Sequence, residues 1–299
     1  MEEEKNIINE ISQEIKKELE IKKIEEKKEI EKLEEPKEIQ KTEESEKLEE
    51  KELKKEIFPG LEDKEIKEMF EAGLYFGHRH TKVHPQMLPF IYGMRNNVDI
   101  IDLVKTKEYL NRTLDYLKEK MKENPLILFV GTKISAKNLI KELAEELNMP
   151  YVNEKWLGGT LTNFEIVLKR IKYLKEMNEK KEKGEFEKYS KKERLRINQN
   201  LKKIERKMGG LKRMEKLPDL LFVIDVFKER LAIKEARMKN IPVIGICDTN
   251  GDFSSLTIGI PANDDAISSL KYILGQVKEV LKLDFSKKTS EAEENSEVK

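Results

Sequence analysis

Three short apolar runs, each joined to a helical pattern, constrain the fold of this 299-residue chain more than any other feature. They are LILFVGT at 126–132, LLFVIDV at 220–226 and PVIGICD at 242–248. The stretch 135–147 after the first run and the stretch between the other two carry apolar residues at helical spacing. Strands that are apolar on both faces are typical of a parallel sheet covered by helices on each side. The runs therefore predict an open α/β sheet.

Two further segments extend this alternating pattern. The run from Val98 to Leu103 precedes a helical pattern through Leu117, and we count it as one of at least four strands that alternate with helices. A last helix is expected from about Asp264 to Leu281, because the cluster Asn263-Asp264-Asp265 supplies a cap and favourable charge at its start.

Residues 167–215 interrupt the alternation with two helical stretches. Thr162-Asn-Phe-Glu165 and Ser190-Lys-Lys-Glu193 both have the form of a capping box, and Gly184 marks a turn between the helices. Their apolar stripes are narrow, which is typical of an antiparallel coiled-coil hairpin. We predict that this hairpin protrudes from an α/β domain formed by 58–166 and 216–285.

The charge of the chain is uneven although its formal net charge is zero. Residues 168–217 contain 19 Lys or Arg and 8 Glu, a balance of +11, whereas the region 57–285 as a whole has +8. A local excess of this size favours contact with phosphates over an ordinary solvated surface, which is the alternative.

The two ends of the chain differ from this basic middle. Residues 1–56 hold 21 Glu and 14 Lys with no aromatic residue, so that 1–57 is expected to be a low-complexity extension, helical or disordered. A docking helix for a partner protein is the alternative for this segment. The tail 286–299 is expected to be disordered.

Composition also excludes several classes of protein. The single cysteine, Cys247, cannot form an intramolecular disulfide and is expected to pack as a small hydrophobic residue, which fits a reducing, cytoplasmic location. No run approaches the roughly 20 apolar residues that span a bilayer, and the N-terminus lacks the order of a signal peptide. We therefore expect neither membrane insertion nor secretion.

A metal- or nucleotide-dependent enzyme is the rival hypothesis. His78, His80 and His84 fall within seven residues and could supply metal ligands, and Asp225 and Asp248 follow strand ends, where open α/β sheets bind ligands. The sequence GTKIS after the first strand matches neither phosphate-binding glycine motif, which counts against a nucleotide. The other interpretation of the histidine segment is a polar loop close to RNA.

The single tryptophan, Trp156, lies in the sequence Asn-Glu-Lys-Trp-Leu-Gly-Gly-Thr at 153–160. One interpretation is core packing. The other is a loop whose glycine amides, together with Asn153 and Lys155, approach an RNA backbone beside the hairpin.

Six stretches in this order resemble the bacterial small-subunit ribosomal protein S two family, over about residues 65–282. They are AGLYFGH (72–78), HPQMLPFIYGMRNNVDIIDLVKT (84–106), LFVGTK (128–133), YVNEKWLGGTLTNF (151–164), LPDLLFVIDVFKERLAIKEARMKNIPVIGICDTN (217–250) and IPANDDAISSL (260–270).

The resemblance implies a flavodoxin-like α/β domain with a protruding coiled-coil hairpin. It implies a non-catalytic constituent of the small subunit that contacts rRNA and neighbouring proteins and helps to recruit ribosomal protein S one. No cofactor, metal or small-molecule substrate is expected. The chain departs from the family's pattern in the loop 82–86, which lacks an aromatic residue and a cation. It also has Asn97 where the family usually has glycine.

The expected RNA-binding residues are the cations and polar side chains of the matched loops and of the hairpin. They are Arg79, Lys82, Arg95, Asn96, Lys133, Asn153, Lys155, Trp156, Asn163, Lys169, Arg170, Lys172, Lys202, Lys203, Arg206 and Lys207. An adaptor that binds proteins through the hairpin or the N-terminal segment is a third hypothesis.

Overall fold

The computed structural model describes residues 63–297, with side chains described through residue 282. The predicted N-terminal extension over 1–57 lies outside the described residues. The helices are α1 (Lys64–Glu71), α2 (Leu103–Met121), α3 (Lys137–Glu146), α4 (Phe164–Glu182), α5 (Lys191–Met208), α6 (Arg230–Met238) and α7 (Ile267–Glu297). The strands are β1 (Phe76–Arg79), β2 (Ile91–Arg95), β3 (Val98–Ile101), β4 (Ile127–Val130), β5 (Tyr151–Val152), β6 (Leu220–Ile224), β7 (Val243–Cys247) and β8 (Ile258–Pro261).

Five parallel strands form the main sheet, in the order β5-β4-β6-β7-β8. Counted along the chain within this sheet, the order is 2-1-3-4-5, which is the flavodoxin-like arrangement. The three apolar runs are its central strands β4, β6 and β7. The prediction of an α/β protein with a parallel sheet is confirmed.

The core lies on both faces of this sheet because successive side chains of a strand point to opposite sides. Leu128 and Val223 belong to the cluster that packs against α6 and the loop before α4. Phe129 and Phe222 point to the other face, with ring centroids 5.6 Å apart. Helix α3 packs on this face so closely that Gly131 has no room for a side chain. A Cβ added to Gly131 would lie 2.9 Å from Ile140 of α3.

The assignment of Val98–Leu103 to the parallel sheet is wrong. Strand β3 instead forms the centre of a small antiparallel sheet with the order β1-β3-β2. Only Asn96 and Asn97 separate β2 from β3, with φ of 49° and 61°, which is the backbone of a two-residue hairpin turn. A parallel pair needs a far longer crossover. Asn97 therefore adopts the left-handed backbone conformation at the position where the family usually has glycine.

Helices α4 and α5 form a two-helix unit joined through Gly184, whose φ is 71°. Buried Leu174 and Leu201 pack with Phe186 of the connection. The capping box at Ser190 is confirmed: its Oγ accepts from the amide of Glu193, and its own amide donates to the Glu193 carboxylate. The structure describes two packed helices, while their coiled-coil geometry and projection stay predictions.

The capping box predicted for Thr162 to Glu165 is wrong. Helix α4 begins at Phe164 with Asn163 as its N-cap residue, and no side chain accepts a capping bond there. Thr162 instead donates its hydroxyl and its amide to Glu235 of α6, 3.2 Å away in both cases.

Helix α7 begins three residues later than expected, at Ile267. Asn263 Oδ1 accepts from the amides of Asp265 and Ala266, so that the predicted cluster does organise the segment before the helix. The helix extends into 286–299, and the predicted disorder of that tail stays a prediction. Across the described part of the chain, no helix has the length and apolar character to cross a membrane.

Candidate nucleic-acid interface

Four of the predicted RNA-binding cations line one groove between α4 and α5. Lys169 and Arg170 come from α4, and Lys203 and Lys207 come from α5. The groove has a volume of about 410 Å³, and Tyr173 also lines it. We call this surface, defined by these five side chains, the basic groove.

The cations of the basic groove are exposed, and none of the four forms an ion pair among residues 63–282. Lys172 and Lys202 of the same two helices are likewise exposed and unpaired within that range. Arg206 differs from them, since its Nη2 lies 3.0 Å from Glu154 Oε2. The two-helix unit therefore presents positive charge that the described protein does not neutralise.

A second group of cations lies at one end of the antiparallel sheet. Arg79 of β1 and Arg95 of β2 are both paired with Val98 of β3, one on each side. Asn96 forms the adjacent turn and Lys82 lies in the short 3-10 helix that follows β1, and all four side chains are exposed. The structure thus brings four predicted contact residues to the small sheet.

The loop before α4 is held by a single buried carboxylate, that of Glu235. Glu235 Oε1 accepts from the indole Nε1 of Trp156 at 3.1 Å and from the amide of Gly159 at 2.8 Å. Its Oε2 accepts from the amides of Leu161 and Thr162 at 3.0 and 3.2 Å. These amides are therefore occupied inside the protein, and they are not free for an RNA backbone.

Trp156 is accordingly buried in the core cluster beside α6. Burial by itself raises the pKa of Glu235, but the hydrogen bonds from Leu161, Gly159 and Trp156 outweigh it and hold the pKa below its ordinary value. The carboxylate is ionised at neutral pH and accepts all of these bonds. Gly159 has a φ of +89°, so the loop also depends on glycine at this position.

Lys133 follows β4 and lies among carboxylates at the strand ends. Its Nζ is 2.6 Å from Asp264 Oδ1, 2.5 Å from Asp265 Oδ1 and 3.5 Å from Asp225 Oδ2. Burial alone lowers the pKa of Lys133, but these carboxylates outweigh it and raise the pKa above its ordinary value. The Lys133 ammonium is thus engaged internally.

Asp264 is the most perturbed carboxyl of this strand-end cluster. Burial and the nearby charges of Asp248 and Asp225 raise its pKa to about 8, although Lys133 opposes the shift. Its second oxygen, Oδ2, is buried without a hydrogen-bond partner.

The three histidines are not brought to one centre. His78 Nδ1 lies 3.0 Å from Asp248 Oδ2 and its Nε2 lies 3.4 Å from Asp265 Oδ2. The hydrogen bond with Asp248 raises the pKa of His78. His80 Nδ1 pairs with Asp99 Oδ1 at 2.7 Å, and His84 Nδ1 accepts from the amide of Gln86.

Among the described residues, His78 is the one histidine that belongs to a group that could hold a metal ion. Ligand atoms of His78, Asp248 and Asp265 all lie within 4.8 Å of one another. One nitrogen and two carboxylate oxygens form a set that suits Zn²⁺. The predicted pairing of His78 with His80 as ligands is not seen, because His80 is held by Asp99.

The remaining predicted residues lie in the segment before α4. Lys155 and Asn163 are exposed, whereas Asn153 donates its Nδ2 to the carbonyl of Lys137 at 3.4 Å.

The single cysteine, Cys247, is fully buried with its Sγ 3.6 Å from Met87 Sδ. This confirms the prediction that it packs as a small hydrophobic residue.

Comparisons with known proteins address the whole of this α/β region. A sequence profile described as Ribosomal protein S2 matches residues 69–282. A small ribosomal subunit protein uS2 from a Nitratiruptor species is 42% identical over 216 residues, covering 72% of this chain and 81% of that relative. The protein of the same name from Coprothermobacter proteolyticus is 43% identical over 216 residues, with the same coverage.

The chain belongs to the ribosomal protein S2 family. It is a structural, non-enzymatic constituent of the ribosome. Membership in the ribosomal protein S2 family confirms the resemblance drawn from the six stretches. The rival hypothesis of a metal- or nucleotide-dependent enzyme at His78, Asp225 and Asp248 is not supported.

Within this ribosomal protein S2 fold, sequence reasoning missed two residues of the candidate interface. Glu235 was not singled out, because nothing local marks a carboxylate on an amphipathic helix as the acceptor for a distant loop. Tyr173 could have been found, since it lies three and four residues after two cations on a helix that is apolar on another face.

Proposed function

We propose that this chain binds small-subunit rRNA through the cations of the basic groove, and in this way takes its place in the small ribosomal subunit. The supporting observation is that Lys169, Arg170, Lys203 and Lys207 are exposed, share one groove and lack ion pairs among the described residues. Cations without intramolecular partners are free to neutralise phosphates. Lys172 and Lys202 extend the same charge.

The mechanism is positioning. Lysine and arginine contacts to phosphates fix the place and orientation of a protein on a nucleic acid without reading base edges. We infer that the two-helix unit projects as a coiled-coil hairpin and that these contacts lie at its base, where Met208 of the groove belongs to the core beside the main sheet. Its internal cluster of Leu174, Phe186 and Leu201 lets it keep its shape at a distance from the main core.

A second contact is proposed at the antiparallel sheet, through Arg79, Lys82, Arg95 and Asn96. Lys155 and Asn163 extend the first contact at the start of α4. Lys133, Arg206, Asn153 and Trp156 are engaged by other residues of the protein, and they contribute to the shape of the surface.

Recruitment of ribosomal protein S one, and contact with neighbouring small-subunit proteins, are proposed on the resemblance alone. Deleting residues 1–56 tests whether the N-terminal segment takes part. We expect small subunits carrying the shortened chain to retain it and to bind ribosomal protein S one, measured by co-sedimentation of both proteins. Loss of ribosomal protein S one alone would assign partner binding to residues 1–56.

The rRNA contact is tested by replacing Lys169, Arg170, Lys203 and Lys207 with Glu. We expect the variant to leave the small-subunit fraction in a sucrose gradient, and the salt slope of its affinity for purified small-subunit rRNA to fall by about 3.

The matched control reverses four exposed lysines outside the groove that likewise form no ion pair among the described residues, namely Lys67, Lys122, Lys239 and Lys271. It carries the same change in net charge, and we expect it to stay with the small subunit. Equal loss in both variants would show a general charge effect and refute the groove.

A further inference from the structure

The basic groove contains an aromatic ring that phosphate binding does not require. Tyr173 lies on α4 one turn after Lys169 and Arg170, so that the three side chains share one face of the helix. Its side chain is 49% exposed. Among the described residues, its ring makes no aromatic contact and its hydroxyl makes no hydrogen bond.

Apolar side chains accompany this ring. Ile166, two turns before Tyr173 on the same face, is 46% exposed and also lines the groove. Leu157, Ile204 and Met208 complete its apolar lining. Lys203 and Lys207 face it from α5. The groove therefore combines an apolar lining with two cations from each helix.

This combination is typical of sites for unpaired nucleotides. In a continuous RNA helix the bases are stacked inside, so that a protein meets mainly phosphates and 2′-hydroxyls, for which cations suffice. An unstacked base offers a π-face, and proteins bind it by stacking on aromatic side chains within a positive groove. The volume of about 410 Å³ lies within the range of sites for small organic molecules.

We propose that the basic groove holds an unpaired nucleotide of the rRNA, with its base stacked on Tyr173. The phosphates that flank this nucleotide lie against Lys169 and Arg170 on one side and Lys203 and Lys207 on the other. This inference rests on the proposed function and names the RNA feature that the groove selects, which is a bulge, loop or strand end.

The test uses the full-length chain, purified small-subunit rRNA and three variants at Tyr173. Replacement by Phe keeps the ring, Leu keeps apolar volume without a π-face, and Ala removes both. We expect Tyr173→Phe to bind within about twofold of the parent, and Tyr173→Leu and Tyr173→Ala to bind about tenfold more weakly. Because no phosphate contact is lost, the salt slope stays unchanged.

Leu195→Ala is the matched control, since Leu195 is an exposed apolar residue of α5 outside the groove. We expect parental affinity for it. Ultraviolet cross-linking of the parent complex, followed by mass spectrometry, should find Tyr173 joined to a nucleotide that chemical probing shows to be unpaired.

The outcomes separate this inference from the proposed function. Parental affinity of Tyr173→Leu, or a cross-link to a base-paired nucleotide, overturns the stacking site while the four-cation variant can still lose rRNA. If the four-cation variant binds normally, the proposed function fails first. Equal weakening by Tyr173→Phe and Tyr173→Leu would also refute stacking, because the ring would then not matter.

Discussion

The strand-end cluster and the basic groove use the same residue types in opposite ways. Lys133 at the strand ends is 18% exposed at its side chain and contacts three carboxylates. Lys203 and Lys207 in the groove are exposed and contact none within the described residues. The first cation neutralises buried charge, whereas the charge of the groove cations is not neutralised by the described part of the protein.

Pairing, which a count of cations does not show, separates structural cations from those available to a partner. Arg206 and Lys207 are adjacent in sequence, yet Arg206 is bound by Glu154 and Lys207 is not. A count of +11 over 168–217 treats the two alike. Four predictions test this division.

Lys133→Met should cause the largest loss. It leaves the buried Asp225 carboxylate without its cation and the Asp264 carboxyl without its hydrogen-bond donor, and breaking a buried ion pair costs about 3–5 kcal/mol. Urea unfolding at pH 7 measures the loss. A change below about 1 kcal/mol would show that Lys133 is not a structural cation and would remove the contrast with the groove.

Glu235→Ala should lower the free energy of unfolding by about 3 kcal/mol, because it leaves the buried donors of Trp156 and Leu161 and the part-buried amide of Thr162 without an acceptor. The pKa of Glu235 is depressed in the folded state, so this stability is present above the unfolded pKa and is lost as pH falls through the folded value. Unfolding at pH 7 and near pH 3 should therefore show a smaller difference at low pH. Lys234→Ala, an exposed neighbour, is the control and should have little effect.

Asp264→Asn should change how the free energy of unfolding depends on pH. The unfolded carboxyl titrates near 3.9, while the folded one titrates at about 8, so the folded state binds more protons between these values. Stability of the parent therefore falls as pH rises across this window. The variant should gain stability relative to the parent between pH 5 and pH 9, measured by urea unfolding at both. Parallel behaviour of the two proteins would contradict the raised pKa.

Lys203→Met should leave stability within about 0.5 kcal/mol of the parent, as expected for an exposed residue without a partner. The same variant should weaken binding to small-subunit rRNA and reduce the salt slope by about 1. Thermal unfolding and filter binding measure the two effects. A large loss of stability here would mean that the groove cations are structural too.

The central strands could be predicted because β4, β6 and β7 are apolar on both faces. Two strands of the parallel sheet escaped prediction: β5 has only two residues, and β8 contains Gly259 and Pro261. The sheet assignment of β3 failed because its direction is set by the turn at Asn96 and Asn97, which an apolar run does not reveal.

The sequence could predict which cations belong to the candidate interface. It could not predict which of them are already paired with carboxylates of the same protein. Lys133 and Asp264 are far apart in sequence, so no local pattern shows that the lysine is already paired. The sequence allowed Trp156 either to pack in the core or to contact RNA. The hydrogen bond from its indole to Glu235 of α6 shows that it packs in the core. Tertiary contacts thus divide residues that sequence treats as equivalent.

The carboxylate of Glu235 has a consequence for ribosome assembly. By tying the loop 156–162 to α6, it orders the segment that leads into α4 as part of the folded protein. A segment that is ordered before docking loses less conformational entropy when a partner binds. Under the proposed function, the buried acid therefore moves this ordering from the assembly step to the folding step.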